Sequence, residues 1–139
     1  MKVKKVMNKN IKTITPDETI QNAAKVMNKY HIGSLVIVSG IMLSGIITER
    51  DILKAFAAQK PSTTKVSDIM TGYAVTIEPD ATTEEAAALM VKNKIKHLPV
   101  VKDMRAVGMV AMTDLVSEGG TMIKKLAPLL KRKIKDGKE

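Results

Sequence analysis

Seven residues, Gly45-Ile46-Ile47-Thr48-Glu49-Arg50-Asp51, carry the most chemistry in this 139-residue chain. Ile46 and Ile47 finish an apolar stretch, and Gly45 permits a close backbone approach. Thr48 falls where an N-cap hydroxyl would meet helix amides that lack partners. A helix start of that kind attracts anions, phosphate above all. Asp51, three residues on, projects from the first turn and can accept two hydroxyl hydrogen bonds. A cis-diol suits a carboxylate so placed, and charge-assisted bonds of that type are worth roughly 1.5–3 kcal/mol each. Thr48 and Asp51 can equally form a plain capping pair. Both readings stay open on these residues alone.

The elements that must position this junction are written twice. An ungapped offset of 63 residues lays Val3–Ile52 over Val66–Leu115, with about 15 of the 50 positions identical. Met7 falls on Met70, Pro16-Asp17 on Pro79-Asp80, Ala23-Ala24 on Ala86-Ala87, Met27 on Met90, and Asp51 on Asp114. Repeats this short cannot usually bury an apolar face alone. Two copies therefore predict one pseudo-symmetric domain with its site sought where the copies meet. The second junction, Gly108-Met109-Val110-Ala111-Met112-Thr113-Asp114, keeps the glycine and the acid but has Ala111 in place of Thr48. An acid retained after its cap hydroxyl is lost suggests that the acid has another job.

Each copy reads as strand, helix, strand, strand, helix. Lys12–Thr15 and Val75–Glu78 are extended and stop at Pro-Asp. A helix follows, opened by Asp17, Glu18 and Thr19 in one copy and by Thr82, Thr83, Glu84 and Glu85 in the other. Leu35–Val38 with Leu43–Ile47, and Leu98–Val101 with Ala106–Val110, are predicted hairpins turning at Ser39-Gly40 and Lys102-Asp103. Second helices begin near Thr48 and Ala111. The segment division is 1–60, 61–118 and a basic tail or helix at 119–139, which Pro128 is expected to kink or divide.

Composition narrows the function classes. Cysteine is absent and His31 and His97 are the only histidines, so thiolate sites and a dedicated metal cluster are not expected. Aromatics make up 2%, too few for base-stacking platforms. The net charge of +9 lies at the two ends, and residues 13–121 are nearly balanced. No nucleophile–base set or phosphate loop is present. MKVKKVMNKN has no apolar segment after its charges, and Ser34–Ile47 is too short to span a bilayer, so a soluble, cytoplasmic protein is expected. The ten methionines read as core and interface filler.

The order of elements, the Pro-Asp before each first helix, the His97-Leu98-Pro99-Val100-Val101 run and the Gly-x-x-Thr-x-x-Asp junction together resemble a tandem cystathionine-β-synthase (CBS) domain pair. The resemblance covers roughly residues 3–116. It implies an α/β (α+β) fold of two pseudo-symmetric βαββα units with packed three-stranded sheets flanked by helices, and two clefts that take adenosyl ligands. It places ribose on Asp51 and Asp114, phosphate near Thr48, and adenine beside Ile46 and Met109. Gly33, Ser34, Lys96 and His97 would line the clefts near phosphate or base. Backbone at about Asn10–Lys12 and from Tyr73 and Ala74 to Val75 would face adenine. Arg50 and Lys96 are candidates to balance phosphate charge, with a solvated surface role the alternative for each. Ala111 makes the second cleft the weaker, with Thr113 a partial substitute.

The expected function is a non-catalytic regulatory module. AMP, ADP, ATP or S-adenosylmethionine is its regulatory ligand, it has no catalytic cofactor, and it dimerises through its Ala- and Met-rich helices to act on a protein partner. The rival is a polyanion- or partner-binding protein using the lysine-rich ends, tested by deleting residues 122–139.

Overall fold

A computed structural model describes residues 1–72 and 75–137, with side chains described as far as Leu130. Its two compact units do not follow the two sequence copies. The Asp51 unit comprises Asn10–Ala74 with Asp103–Ala106. The Asp114 unit comprises Met1–Lys9, Val75–Lys102 and Val107–Glu139.

In the Asp51 unit the order is β1 (Thr13–Ile14), α1 (Ile20–Tyr30), β2 (Ser34–Ser39), β3 (Met42–Thr48) and α2 (Glu49–Ala57). The strands lie β1-β2-β3, with β1 parallel and β3 antiparallel to β2. The expected first strand shrinks to two residues. Alternation along β2 and β3 sends Leu35, Ile37 and Ile47 into a core with Ile20, Ala23, Met27 and Ala55. Val36 and Ile46, cross-strand neighbours, take the opposite face. Thr19 caps α1 by accepting the Asn22 N–H at 3.1 Å. The helix ends at His31, whose left-handed φ of 53° lets its N–H reach the Met27 carbonyl. Val66 is wholly buried in the same core, held as its N–H donates to the Glu18 carbonyl at 2.8 Å.

The Asp114 unit holds α3 (Thr83–Asn93), β4 (His97–Lys102), most of β5 (Arg105–Ala111), α4 (Met112–Val116) and α5 (Gly120–Gly137). β4 and β5 pair as a two-stranded sheet. The strand expected at Val75–Glu78 contributes one parallel bridge, Ile77 to Val100. Thr82 and Glu85 complete a capping box on α3, with the Glu85 N–H donating to Thr82 Oγ1 at 3.1 Å. Val3, the counterpart of Val66, is wholly buried here, its N–H donating to the Ala81 carbonyl at 2.8 Å. Lys4 and Lys2 lie 2.9 and 3.5 Å from Asp80. Each copy therefore supplies its opening segment to the unit built on the other copy's helices.

The tail differs from expectation. Pro128 neither ends nor divides α5. Met122, Leu126 and Leu129 recur at i, i+4 and i+7 and are buried in one cluster with Ala87, Met90 and Leu115. Burying such side chains stabilises by about 1.5–3 kcal/mol each, which offsets the ~3 kcal/mol that proline costs inside a helix. Lys124, Lys125 and Pro128 stay exposed. As far as Leu130 the segment is a docked amphipathic helix. Among the described residues no helix is long and apolar enough to cross a membrane.

Candidate functional site

Antiparallel pairing places Ser34 opposite Thr48, and Val36 opposite Ile46, on the sheet face turned away from the Leu35–Ile47 core. The Glu49 N–H donates to the Gly33 carbonyl at 3.0 Å, fixing the start of α2 against the start of β2. One sheet face thus carries two buried apolar side chains, Val36 and Ile46, beside a half-buried polar edge of Ser34, Thr48 and Asp51. Gly33, Ser34, Ile46, Thr48 and Asp51 lie together where β2, β3 and α2 meet. Arg50 is exposed and joins no ion pair among the described residues. The Lys12 carbonyl accepts the Val36 N–H at 3.3 Å, so part of its capacity is already used within the sheet.

The cap is real and complete. The Asp51 N–H donates to Thr48 Oγ1 at 3.3 Å, while the Thr48 N–H and hydroxyl donate to Asp51 Oδ2 at 2.9 and 3.1 Å. Asp51 Oδ1 takes no hydrogen bond among the described residues. Half of the carboxylate is therefore committed to the helix, and the other half is available to a hydroxyl.

Gly45 has a different reason to be glycine. An added Cβ would lie 2.6 Å from the Thr71 carbonyl oxygen and 2.9 Å from Met70 Sδ. The Ile46 and Thr71 backbones exchange hydrogen bonds of 3.2 and 3.1 Å there. Gly45 admits another segment of the protein.

The Asp114 unit repeats this geometry. The Met112 N–H donates to the Lys96 carbonyl at 2.8 Å, Met109 exchanges bonds of 2.8 and 3.0 Å with Asn8, and a Cβ on Gly108 would meet Met7 Sδ at 2.6 Å. His97 opens β4 as Ser34 opens β2. Asp114 keeps half the cap: Oδ2 accepts the Ala111 N–H at 2.8 Å. Satisfying that N–H is one reason to keep an acid there, as it is for Asp51, so retention of the acid does not by itself argue for another task. Thr113 is exposed and its hydroxyl makes no hydrogen bond among the described residues, so it does not replace the missing cap. Tyr73 and Ala74 lie outside the described residues.

Sequence reasoning missed a groove of about 310 Å³ in the Asp51 unit, lined by Ala24, Met27, His31, Glu49 and Ile52 among others. None of the predicted contact residues lines it. The sequence reading took its methionine as core or interface filler and its Ala- and Met-rich helix as a dimerisation face, and the exposure of Leu53 and Phe56 on α2, 62% and 81%, marks the face as open.

The CBS domain family model matches this chain twice, over residues 3–58 and 66–120. The CBS domain-containing protein YhcV of Bacillus subtilis (strain 168) is 36% identical over 114 residues, which are 81% of each chain. Inosine-5'-monophosphate dehydrogenase of Methanocaldococcus jannaschii is 37% identical over 117 residues, 83% of this chain but 23% of that enzyme. The solved CBS domain pair of protein MJ0100, in complex with 5-methylthioadenosine and S-adenosyl-L-methionine, superposes with a TM-score of 0.81 at 35% identity. That match covers 86% of this chain and all of the other.

Proposed function

The chain belongs to the CBS domain family, and we propose that it is a non-catalytic regulatory module whose ligand is an adenosyl compound, S-adenosylmethionine or an adenine nucleotide such as AMP or ATP. The observation that carries this reading is the division of labour within Asp51. Its Oδ2 completes the cap of α2 and its Oδ1 takes no hydrogen bond among the described residues, an arrangement suited to a ribose hydroxyl with a base at the edge of Ile46. The N-terminus of α2, with Thr48 and Ser34 at its edge, favours a phosphate or carboxylate nearby. The adenosyl compounds held by the 35%-identical MJ0100 pair support the ligand class.

The Asp114 unit is the weaker site. Loss of one neutral hydroxyl bond costs about 0.5–1.5 kcal/mol, a few-fold to about tenfold in affinity. Occupancy acts on a partner protein by favouring one arrangement of the module, and only by the difference in affinity between arrangements. Calorimetric titration of the folded chain with AMP, ATP and S-adenosylmethionine tests the reading. Saturable heat from at least one is expected, and no heat from any of the three removes it.

A further inference from the structure

The two basic ends of the sequence belong to one compact unit. Residues 1–9 and α5 both fall in the Asp114 unit, which holds 15 basic and 8 acidic residues, a net +7 of the chain's +9. The Asp51 unit holds 8 and 6, a net +2. Read along the sequence, the second copy, residues 61–118, is acidic, with 6 basic and 8 acidic residues and a net −2. Docking of residues 1–9 and of α5 makes a basic unit out of that acidic copy.

Both ends are held in place. Val3 of the first end and Met122, Leu126 and Leu129 of the second are buried in one cluster. At the start of α3 the Thr83 N–H donates to the Met1 carbonyl at 2.9 Å. Glu84 beside it is held below its ordinary carboxylate pKa first by a hydrogen bond from its own backbone, and also by the charge of Lys125. Asp80 is answered by Lys2 and Lys4. Lys5, Lys9 and Lys124 are exposed and join no ion pair among the described residues. In the sequence, Lys131, Arg132, Lys133 and Lys135 follow on the same helix.

The rest of the unit narrows the partner. A lipid surface or a protein groove takes exposed apolar side chains, and among the described residues of this unit only Met1 and Ile123 are large, apolar and exposed. Single-stranded nucleic acid takes stacking rings, and the unit contains no Phe, Tyr or Trp. A duplex needs only cations set against its phosphates, which present one negative charge per about 1.7 Å of helix axis.

We propose that the basic surface of the Asp114 unit, with Lys5, Lys9, Lys124 and Lys125, binds double-stranded nucleic acid through its phosphates and without reading base sequence. The inference goes beyond ligand binding and stands or falls without any adenosyl compound present.

Fluorescence anisotropy tests it, with a labelled duplex of about 20 base pairs titrated with the full chain at 50 and 200 mM salt. About four phosphate contacts give a slope of log K against log salt near −3.6, a loss of roughly 150-fold between those two salts. Because Leu126 and Leu129 seat α5, charges are replaced and the helix is kept. Lys5→Gln with Lys9→Gln, and separately Lys124→Gln with Lys125→Gln, should each flatten the slope by about 1.8. All four side chains are exposed, and unchanged urea midpoints check that the fold is intact. Lys54→Gln with Lys60→Gln, exposed on the Asp51 unit, should leave the slope as it was. No binding at 50 mM salt, a loss confined to one of the first two pairs or absent from both, or an equal loss from the Asp51-unit pair overturns the proposal. So does tighter binding to phosphatidylserine vesicles, or to a single strand of the same length, than to the duplex.

Discussion

Replacing Asp51 by asparagine separates the two jobs that one carboxylate performs. The Thr48 N–H lies 2.9 Å from Asp51 Oδ2, and an asparagine side-chain oxygen can still accept it. The cap is kept. What goes is the negative charge in the first turn of α2, worth about 0.3–1 kcal/mol against the helix dipole. Stability should fall by no more than about 1 kcal/mol, or a few degrees in Tm. Ligand binding should suffer more. An amide that keeps its oxygen on the Thr48 N–H turns its NH2 group toward the second position, so the charge-assisted acceptor for a ribose hydroxyl disappears. That loss of about 1.5–3 kcal/mol weakens binding roughly 10- to 150-fold. Asp51→Ala is the companion, because it removes the cap as well and leaves the Thr48 N–H unpaired, costing about 1–3 kcal/mol of stability. Urea unfolding and calorimetric titration of S-adenosylmethionine and AMP, run on both variants, give the two axes. Wild-type affinity in the asparagine variant, with the alanine variant destabilised, would show that the acid only caps its helix.

Gly45→Ala should destabilise by about 1–3 kcal/mol in urea, because Met70 Sδ can move but the Thr71 carbonyl at 2.6 Å is held in a backbone pair. Leu126→Ala, wholly buried on α5, should cost about 2–5 kcal/mol, whereas removal of a solvated tail residue would cost almost nothing. Asp80 is held below its ordinary carboxylate pKa by hydrogen bonding and charge from Lys4, then from Lys2. A depressed folded-state pKa stabilises above the ordinary value of 3.8 and ceases to do so as pH falls through the lowered one. Thermal unfolding between pH 2 and 6 should therefore show a shallower acid limb in Lys4→Ala than in the wild type.

The offset of 63 residues, period-two apolar runs and hydroxyl or acidic residues at helix starts made the hairpins, α1, α3 and the Thr48–Asp51 junction legible in the sequence. What escaped was non-local or masked. Val3 stands among lysines, and nothing near it tells that it is buried in one cluster with Ile77, Ala86 and Leu129, so the exchange of opening segments could not be read locally. Seven basic residues and a proline hid the Met122, Leu126, Leu129 stripe. The bond from the Ala111 N–H to Asp114 could not be read either, because side-chain pattern does not record a backbone partner.

The membership of Met1–Lys9 in the Asp114 unit has a consequence for the birth of the molecule on the ribosome. The Val3 and Lys4 N–H groups donate to the carbonyls of Ala81 and Pro79, so that unit can close only after the second copy's residues have been synthesised. Cutting the gene between the copies would strand Val3 and leave the place of Val66 vacant, so neither half is expected to fold as an independent product.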